Sequence, residues 1–301
     1  MKFAAIDIGS NAVRLLFCDV IDNNDRPIFK KAELIRVPLR LGEDVFIRGK
    51  ISEEKIGKLI SSMKAFKHLI SVYDALDYRA CATSAMREAE NRWEIIEKVR
   101  RQTNMKIEIV DGKTEADIIY SNHVAENLDA KNSYLYIDVG GGSTEITLFS
   151  KGKNVVSQSF NIGTIRMLHN QIDKKYWNYY KNWVREITNG HEPLMAIGSG
   201  GNINKLFKMS GKRENKPLTY TRLKSISEKL ESFTLEERIK SFGLKPDRAD
   251  VIVPASKIVL STMKAACIDK ILVPEIGLSD GIVHLQYEKY KIKQNEMVNH
   301  E

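Results

Sequence analysis

The sequence contains little cysteine and no long apolar run, and each of these two shortages argues against a class of protein. Its 301 residues include 3 Cys and 7 Pro. Secreted domains held together by disulfides are rich in cysteine, so we predict that Cys18, Cys81 and Cys267 are reduced core residues. No apolar run approaches the roughly 20 residues of a membrane span, and the N-terminus shows no signal-peptide pattern. We therefore expect a soluble cytoplasmic protein.

Histidine clusters and runs of like charge are also missing. The 6 His residues show no metal-ligand spacing, which argues against a zinc site. The formal net charge is +8, but the basic residues are spread along the chain. Such an excess of positive charge attracts polyanions in general, without predicting specific binding to nucleic acid.

Two stretches, 3–17 and 134–149, repeat one pattern. Each has an apolar run, an aspartate, a turn containing glycine and a second extended run. The repeat aligns Asp7 with Asp138 and Gly9 with Gly140, and it predicts one β-hairpin used twice. The length suits two domains, and strands that alternate with helices after each hairpin predict an α/β protein with mixed sheets.

Hydrophobic periodicity and turn residues predict the remaining elements. The predicted strands and extended pairs are 25–41, 78–83, 106–110, 154–161, 194–197 and 270–273. The predicted helices are 53–70, 91–103, 114–127, 173–188, one opening at 198–201, 221–233, 234–242, 247–266 with a kink at Pro254, and 279–292. A domain boundary is expected near 122–132.

Three glycine-rich segments at predicted strand ends suit the binding of anions. Bare backbone lets N–H groups approach a ligand closely, and a helix N-terminus adds unpaired N–H groups. Two of the segments are the hairpin turns, and the third joins a strand to a helix. The predicted phosphate-binding residues are Gly9, Ser10, Asn11, Gly140, Gly141, Gly142, Ser143, Gly198, Ser199, Gly200 and Gly201.

Several charged residues lie near these segments. Asp7 and Asp138 end strands beside a glycine turn, where a carboxylate can hold a divalent cation or orient a water. Glu145 follows the second turn and is expected to face the same ligand. Arg87 has the planar fork that matches phosphate, although single arginines are common on surfaces. Glu115 by itself is typical of an acidic residue that complements a helix dipole.

Taken in order, these motifs resemble the exopolyphosphatase/guanosine pentaphosphate phosphatase (Ppx/GppA) family, within the actin, sugar-kinase and heat-shock-chaperone superfamily. The resemblance covers about residues 3–288. The motifs are AxDxGSN at 5–11, TSAxREA at 83–89, VxGxxEA at 110–116, IDxGGGSTE at 137–145, GTIR at 163–166, GSGG at 198–201 and LSDG at 278–281. IDxGGGSTE together with the upstream Arg and Glu segments is more specific than any single glycine-rich loop.

The resemblance implies two actin-like (ribonuclease H-like) domains with a cleft between them. Each domain is expected to hold a mixed five-stranded sheet flanked by helices. The predicted boundaries are 1–124 and 125–301, and whether the C-terminal helix at about 280–292 packs back on the first domain is left open. A homodimer is also suggested by the family.

The implied activity is the release of terminal phosphate from polyphosphate, or of the 5′ γ-phosphate from guanosine pentaphosphate, with a divalent metal that is usually Mg²⁺. The resemblance assigns Glu115 to orienting or deprotonating the attacking water and Arg87 to a phosphate contact. It assigns Asp138 and Glu145 to the metal and its water, so these four are the predicted catalytic residues. The predicted metal ligands are Asp138, Glu145 and Asp7.

Two alternative functions stay open, and departures from the family pattern motivate the second of them. Ala12, Thr114 and Asn202 stand where the family often has Ser, an acidic residue and Thr, respectively. A small-molecule kinase of the same superfamily would share the phosphate loops. A non-catalytic sensor that binds polyphosphate or an alarmone is the alternative from a different class.

Overall fold

The computed structural model of the chain describes residues 1–23, 27–120, 129, 131–213 and 215–298. Contacts between residues divide the chain into two compact units, the first of Met1–Asn122 with Leu278–Glu301 and the second of His123–Gly277. Each unit contains its own sheet. Of the boundary predicted at 122–132, most residues lie outside the described part of the chain.

The first unit is built on a mixed sheet with the strand order β3-β2-β1-β4-β5 among the described residues. Its strands are β1 (Lys2–Ile8), β2 (Val13–Ile21), β3 (Ile28–Val37), β4 (Asp77–Ala82) and β5 (Glu108–Ile109). The first three strands form an antiparallel meander, and β4 and β5 continue the sheet in parallel. All of β1 beyond Lys2 is buried, which matches its nearly continuous apolar sequence.

Among the described residues, five helices of this unit precede the passage of the chain to the second unit. They are α1 (Leu41–Arg48), α2 (Glu53–Val72), α3 (Ser84–Glu88), α4 (Arg92–Thr103) and α5 (Gly112–Tyr120). The amphipathic helix predicted at 53–70 is confirmed, since its apolar stripe from Ile56 to Phe66 is buried. The helix predicted at 114–127 begins two residues earlier, and its last part lies outside the described residues.

The prediction of an extended pair at 25–41 is wrong, because a single strand forms among the described residues there. Only β3 forms, and the chain enters α1 at Leu41. This short helix contains Gly42, which lowers its intrinsic propensity, and it is stabilised by burying Leu41, Val45 and Phe46. Tertiary packing therefore decides the local structure here.

The second unit contains six strands among its described residues, in the order β10-β11-β9-β6-β7-β8. They are β6 (Ser133–Val139), β7 (Thr144–Ser150), β8 (Lys153–Phe160), β9 (Leu194–Ser199), β10 (Leu218–Thr219) and β11 (Lys270–Leu272). The prediction of five strands missed β10, an edge strand of two residues that pairs antiparallel with β11. Two residues are too few to show a strand periodicity.

The helices of the second unit cover this sheet. They are α6 (Thr164–Leu168), α7 (Lys174–Thr188), α8 (Gly201–Met209), α9 (Tyr220–Glu231), α10 (Leu235–Phe242), α11 (Pro246–Ala249) and α12 (Ile252–Ala265). The single kinked helix predicted at 247–266 is two helices, α11 and α12. Pro254 lies in the first turn of α12, where a missing backbone N–H costs no helical hydrogen bond.

The last helix, α13 (Leu278–Val298), belongs to the first unit. It packs on β1, β2 and α5. At Gly281 an added Cβ would lie 1.8 Å from the carbonyl oxygen of Ile118, so α13 crosses α5 at bare backbone. Asp280 forms a 2.8 Å ion pair with Lys31 of β3. Among the described residues, no helix combines the length and apolarity needed to cross a bilayer.

The three cysteines are free, but they do not all lie in the core. Cys18 and Cys81 are buried and Cys267 is exposed, so the prediction is wrong for Cys267. Cys267 follows α12 in a left-handed conformation, with a φ of 53°, and is exposed between the buried residues Ala266 and Ile268. Burial raises the pKa of Cys18 to about 11 and that of Cys81 to about 12.

These environments predict selective alkylation. Because the thiolate is the reactive form, iodoacetamide at pH 8 should label Cys267 in the native protein and leave Cys18 and Cys81 unmodified. Peptide mass spectrometry measures the sites, and the same reaction in urea, where all three should react, is the control. Fast native labelling of Cys81 would contradict this description of the core.

Candidate active site

The turn between β1 and β2 places a buried acid beside an arginine. The Gly9 amide donates to the Ala12 carbonyl over 3.2 Å, and the resulting register puts Asp7 opposite Arg14. Asp7 is only 6% exposed, and Nη1 of Arg14 donates to its carboxylate. Arg14 was missed in the sequence analysis. The signal was available, because a tight turn closed at Gly9 and Ala12 makes Asp7 and Arg14 register partners.

Two predicted catalytic residues, Arg87 of α3 and Glu115 of α5, lie side by side in the first unit. Nη1 of Arg87 is 3.5 Å from Oε2 of Glu115 and donates to the Val110 carbonyl over 2.8 Å. Glu115 is 9% exposed, although it occupies the first turn of a helix, where acidic residues are usually solvated. Because Glu115 is buried beside a guanidinium, a favourable interaction with the helix dipole does not by itself explain an acidic residue at this position.

Glu115 is held in place by the cap of its helix. The Asp111 carboxylate accepts from the Thr114 amide over 2.7 Å, and the Asp111 carbonyl accepts from the Glu115 amide over 2.9 Å. Asp111 is therefore the N-cap of α5. Cys81 is the neighbour of Asp7 in the sheet. Burial is the main reason that the pKa of Cys81 is raised, and the negative charges of Asp7 and Glu115 raise it further.

The cap predicts a pH-dependent effect of substitution. Asp111→Ala should lower the free energy of unfolding by about 1 kcal/mol near neutral pH, because the Thr114 amide loses its acceptor, while Asp111→Asn should cost less. Hydrogen bonds from Thr114 hold the pKa of Asp111 below its ordinary value of 3.8. The stabilisation that depends on the negative charge of Asp111 is therefore complete above about pH 4. It is lost as the pH falls through the lowered pKa of Asp111.

Urea unfolding of the native protein and both variants at pH 7 and pH 3 measures this difference. The gap between the native protein and Asp111→Ala should narrow at pH 3. A gap that widens on acidification would contradict the assignment of Asp111 as an ionised cap.

The turn between β6 and β7 brings two carboxylates together in the second unit. The Gly140 amide donates to the Ser143 carbonyl over 2.9 Å, and the register makes Asp138 and Glu145 direct partners. Directly opposed residues point to one face of a sheet with Cβ atoms about 5 Å apart. Glu145 is 2% exposed and accepts from the Ser159 hydroxyl over 2.8 Å.

The third glycine segment lies beside this second turn. β9 runs parallel to β6 with Ser199 opposite Asp138, and Ser199 Oγ is 3.2 Å from Asp138 Oδ2. Gly200 has a φ of 105°, and an added Cβ would lie 3.1 Å from Asp138 Oδ1. The conformation favours glycine there, and the space beside the aspartate is tight. The residues predicted at Gly198–Gly201 thus meet those of the second turn at one end of one sheet.

Two of the three predicted metal ligands form a carboxylate pair of the kind that magnesium sites use. Among the described residues, no group of three or more His, Cys, Asp or Glu side chains could hold a metal ion by itself. Mg²⁺ is commonly held by one or two carboxylates together with water and phosphate, and Asp138 with Glu145 provides such a pair. Asp7 is already ion-paired with Arg14, so its contacts do not support its predicted role as a metal ligand.

The structure therefore assembles the predicted site residues into two groups, one in each unit. The first group holds the turn Gly9–Asn11 with Asp7, and the pair Arg87 and Glu115. The second group is larger. It consists of Asp138, Gly140, Gly141, Gly142, Ser143, Glu145, Gly198, Ser199, Gly200 and Gly201.

The chain is similar in sequence to proteins of known families. The Ppx/GppA phosphatase family model matches residues 21–289. The chain is 30% identical to the bifunctional 3-dehydroquinate synthase/phosphatase of Fusobacterium nucleatum over 90% of this chain and 44% of that protein, so it spans less than half of that relative. It is 23% identical to exopolyphosphatase 1 of Mycobacterium tuberculosis, over 94% of this chain and 87% of that protein.

A solved structure shows the same fold. The crystal structure of an exopolyphosphatase from Cytophaga hutchinsonii superposes with a TM-score of 0.83 at 23% identity, covering 96% of this chain and 98% of that one. The predicted fold class, actin-like α/β units with mixed sheets flanked by helices, is thereby confirmed.

Proposed function

Because the chain belongs to the Ppx/GppA phosphatase family, we propose that it is a phosphohydrolase that releases the terminal phosphate of inorganic polyphosphate or the 5′ γ-phosphate of guanosine pentaphosphate. The observation that carries the proposal is the buried Glu115 paired with the half-buried Arg87. A carboxylate that can take a proton from water, beside a guanidinium that can hold phosphate oxygens, is what hydrolysis of a phosphoanhydride needs.

In the proposed reaction, water attacks the terminal phosphorus as the bond to the bridging oxygen breaks. Glu115 orients this water and accepts its proton, while Arg87 binds the phosphoryl oxygens. Phosphoryl transfer depends mainly on positioning and on compensation of charge. The helix cap at Asp111 and the hydrogen bond from Arg87 to Val110 serve the positioning, since they fix the two side chains relative to one another.

The glycine segments bind phosphate through backbone amides in this proposal. In the two hairpin turns the donors are the amides of residues 10–11 and 141–143, since the Gly9 and Gly140 amides close the turns, and the N-terminus of α8 adds the amides of Gly200 and Gly201. Backbone donors carry no net charge and recognise phosphate oxygens without regard to the rest of the substrate. They therefore suit a polymer of identical phosphates as well as a nucleotide.

Asp138 and Glu145 would hold a magnesium ion in this proposal. When bound, the ion offsets the negative charge that develops on the phosphoryl oxygens. Ser159 and Ser199 orient the two carboxylates by hydrogen bonding. A cytoplasmic location, a homodimer and the lack of specific nucleic-acid binding stay predictions from the sequence.

The test measures phosphate release from tripolyphosphate, long-chain polyphosphate, guanosine pentaphosphate and ATP, with and without a sugar or acid acceptor. Glu115→Gln should lower kcat about 100-fold or more, because the proton acceptor is lost while the shape remains. Arg87→Ala should raise KM and lower kcat. The exposed pair of Glu97 and Arg100, 2.9 Å apart in the same unit, gives matched controls that should retain activity, Glu97→Gln and Arg100→Ala.

Two results would contradict the proposal. Phosphate transfer that requires the acceptor would identify a kinase. Tight binding of polyphosphate or guanosine pentaphosphate without turnover, unchanged in Glu115→Gln, would identify a sensor. Release of phosphate that depends on Glu115 and needs no acceptor supports the hydrolase.

A further inference from the structure

We propose that residues 163–166 position the backbone amides of the turn at 140–143 for phosphate, and that Gly163 and Arg166 are positioning residues for this site. The inference rests on the proposed function in so far as the bound anion is a phosphate chain. Neither residue is expected to touch the substrate. Both act through the glycine turn.

Three successive carbonyls of the turn are bound by this one segment. The amide of Thr164 donates to the Gly140 carbonyl over 3.0 Å and the amide of Ile165 donates to the Gly141 carbonyl over 2.8 Å. The side chain completes the series, since Nε of Arg166 donates to the Gly142 carbonyl over 2.7 Å. The first turn of α6 therefore lies against the carbonyl side of the turn.

The amides of the turn must then face the other way. In a trans peptide the carbonyl of one residue and the N–H of the next lie in one plane and point in opposite directions. Holding the carbonyls of Gly140, Gly141 and Gly142 therefore directs the amides of residues 141, 142 and 143 away from α6. Within the described part of the chain these three amides donate to no protein acceptor, as expected for a cradle that binds an anion.

A simple hairpin would not leave the amide of Ser143 available. In a tight two-residue turn, this amide normally donates back to the carbonyl of the residue three positions earlier, here Gly140. In this turn only the opposite hydrogen bond, from Gly140 to Ser143, is formed, and the Gly140 carbonyl accepts from Thr164 instead. Segment 163–166 thus replaces a hydrogen bond that would close the cradle.

Gly163 allows the approach on which these bonds depend. A Cβ added there would lie 2.3 Å from the Gly141 carbonyl oxygen and 2.4 Å from the Gly142 carbonyl carbon. The φ of Gly163 is −140°, an extended conformation that any residue can adopt. Glycine is therefore required by space and not by backbone conformation, and any side chain must push the turn away by roughly 1 Å or more.

The first unit repeats the arrangement in its own hairpin. The amide of Arg40 donates to the Asn11 carbonyl over 3.0 Å, and the amide of Gly42 donates to the Ser10 carbonyl over 2.8 Å. Arg40 and Gly42 lie at the start of α1, the helix that follows the third strand of the meander, as α6 does in the second unit. Two hairpins of different sequence are thus held from the carbonyl side by the next helix.

The experiment compares Gly163→Ala, Arg166→Ala and Arg166→Lys with the native protein. Gly57→Ala is the matched control, because an added Cβ there meets no atom within 4 Å. Calorimetry measures binding of methylenediphosphonate, which has no hydrolysable P–O–P bond. Hydrogen exchange reports the amides of 141–143 with and without this ligand, and kcat and KM are measured with tripolyphosphate.

Gly163→Ala should weaken diphosphonate binding and lower kcat/KM about 100-fold, since a shift of roughly 1 Å misplaces the amides. Arg166→Ala should weaken binding about tenfold through the loss of one charge-assisted hydrogen bond, and Arg166→Lys should recover part of the affinity. Gly57→Ala should match the native protein. Diphosphonate should slow exchange of the turn amides in the native protein and less so in the two alanine variants.

If Arg166 only stabilised the fold, its substitution would change stability and not the affinity for diphosphonate. The thermal midpoint of Arg166→Ala would fall while its diphosphonate affinity, measured well below that midpoint, stayed native, and this result would overturn the inference. If Gly163→Ala does not fold, Arg166→Ala and Arg166→Lys decide. A native protein that does not bind diphosphonate would also overturn it, whereas binding with the expected variant pattern but no hydrolysis would refute only the proposed function.

Discussion

The hydrogen bond that closes each glycine turn determines where the charged groups around it lie. The Gly9 and Gly140 amides each donate to the carbonyl three residues further on, and this fixes the register of the strands that follow. A slip of one residue would turn every side chain of the returning strand to the other face. The carboxylates of Asp7 and Asp138 keep their partners only because the turns have this length.

The two hairpins share a backbone arrangement and differ in charge. Opposite the repeated aspartate, the first hairpin carries Arg14 and the second carries Glu145. In the first case a guanidinium compensates the charge of the buried acid. In the second case two carboxylates share one face, and these are the residues that we propose as magnesium ligands.

Local patterns in the sequence predicted the parts of the fold that local interactions decide. The hairpins follow from Asp, Gly and flanking apolar runs, and the buried stripe of α2 follows from helical spacing. Short elements escaped prediction because packing stabilises them: α1 is held by its buried apolar residues, and β10 has only two residues. Pro254 was placed in a helix interior because the break between α11 and α12 depends on tertiary context.

The candidate site was predictable to the extent that its residues share a hairpin. Register alone puts Glu145 beside Asp138, and it could have revealed Arg14. The burial of Glu115 against Arg87 was not predictable from spacing, since it requires α3 and α5 to meet at the end of one sheet. The family resemblance supplied that pairing. The contribution of residues 163–166 became visible only from the hydrogen bonds of the turn carbonyls.

The most direct test of the account is a crystal structure of the Glu115→Gln variant grown with tripolyphosphate and Mg²⁺. The account predicts phosphate oxygens within about 3 Å of the amide nitrogens of residues 141–143, with the carbonyls of the turn still bound by the segment at 163–166. A phosphate chain bound only by surface lysines and arginines, with these amides turned away from it, would contradict the claim that the glycine turns are built to hold phosphate.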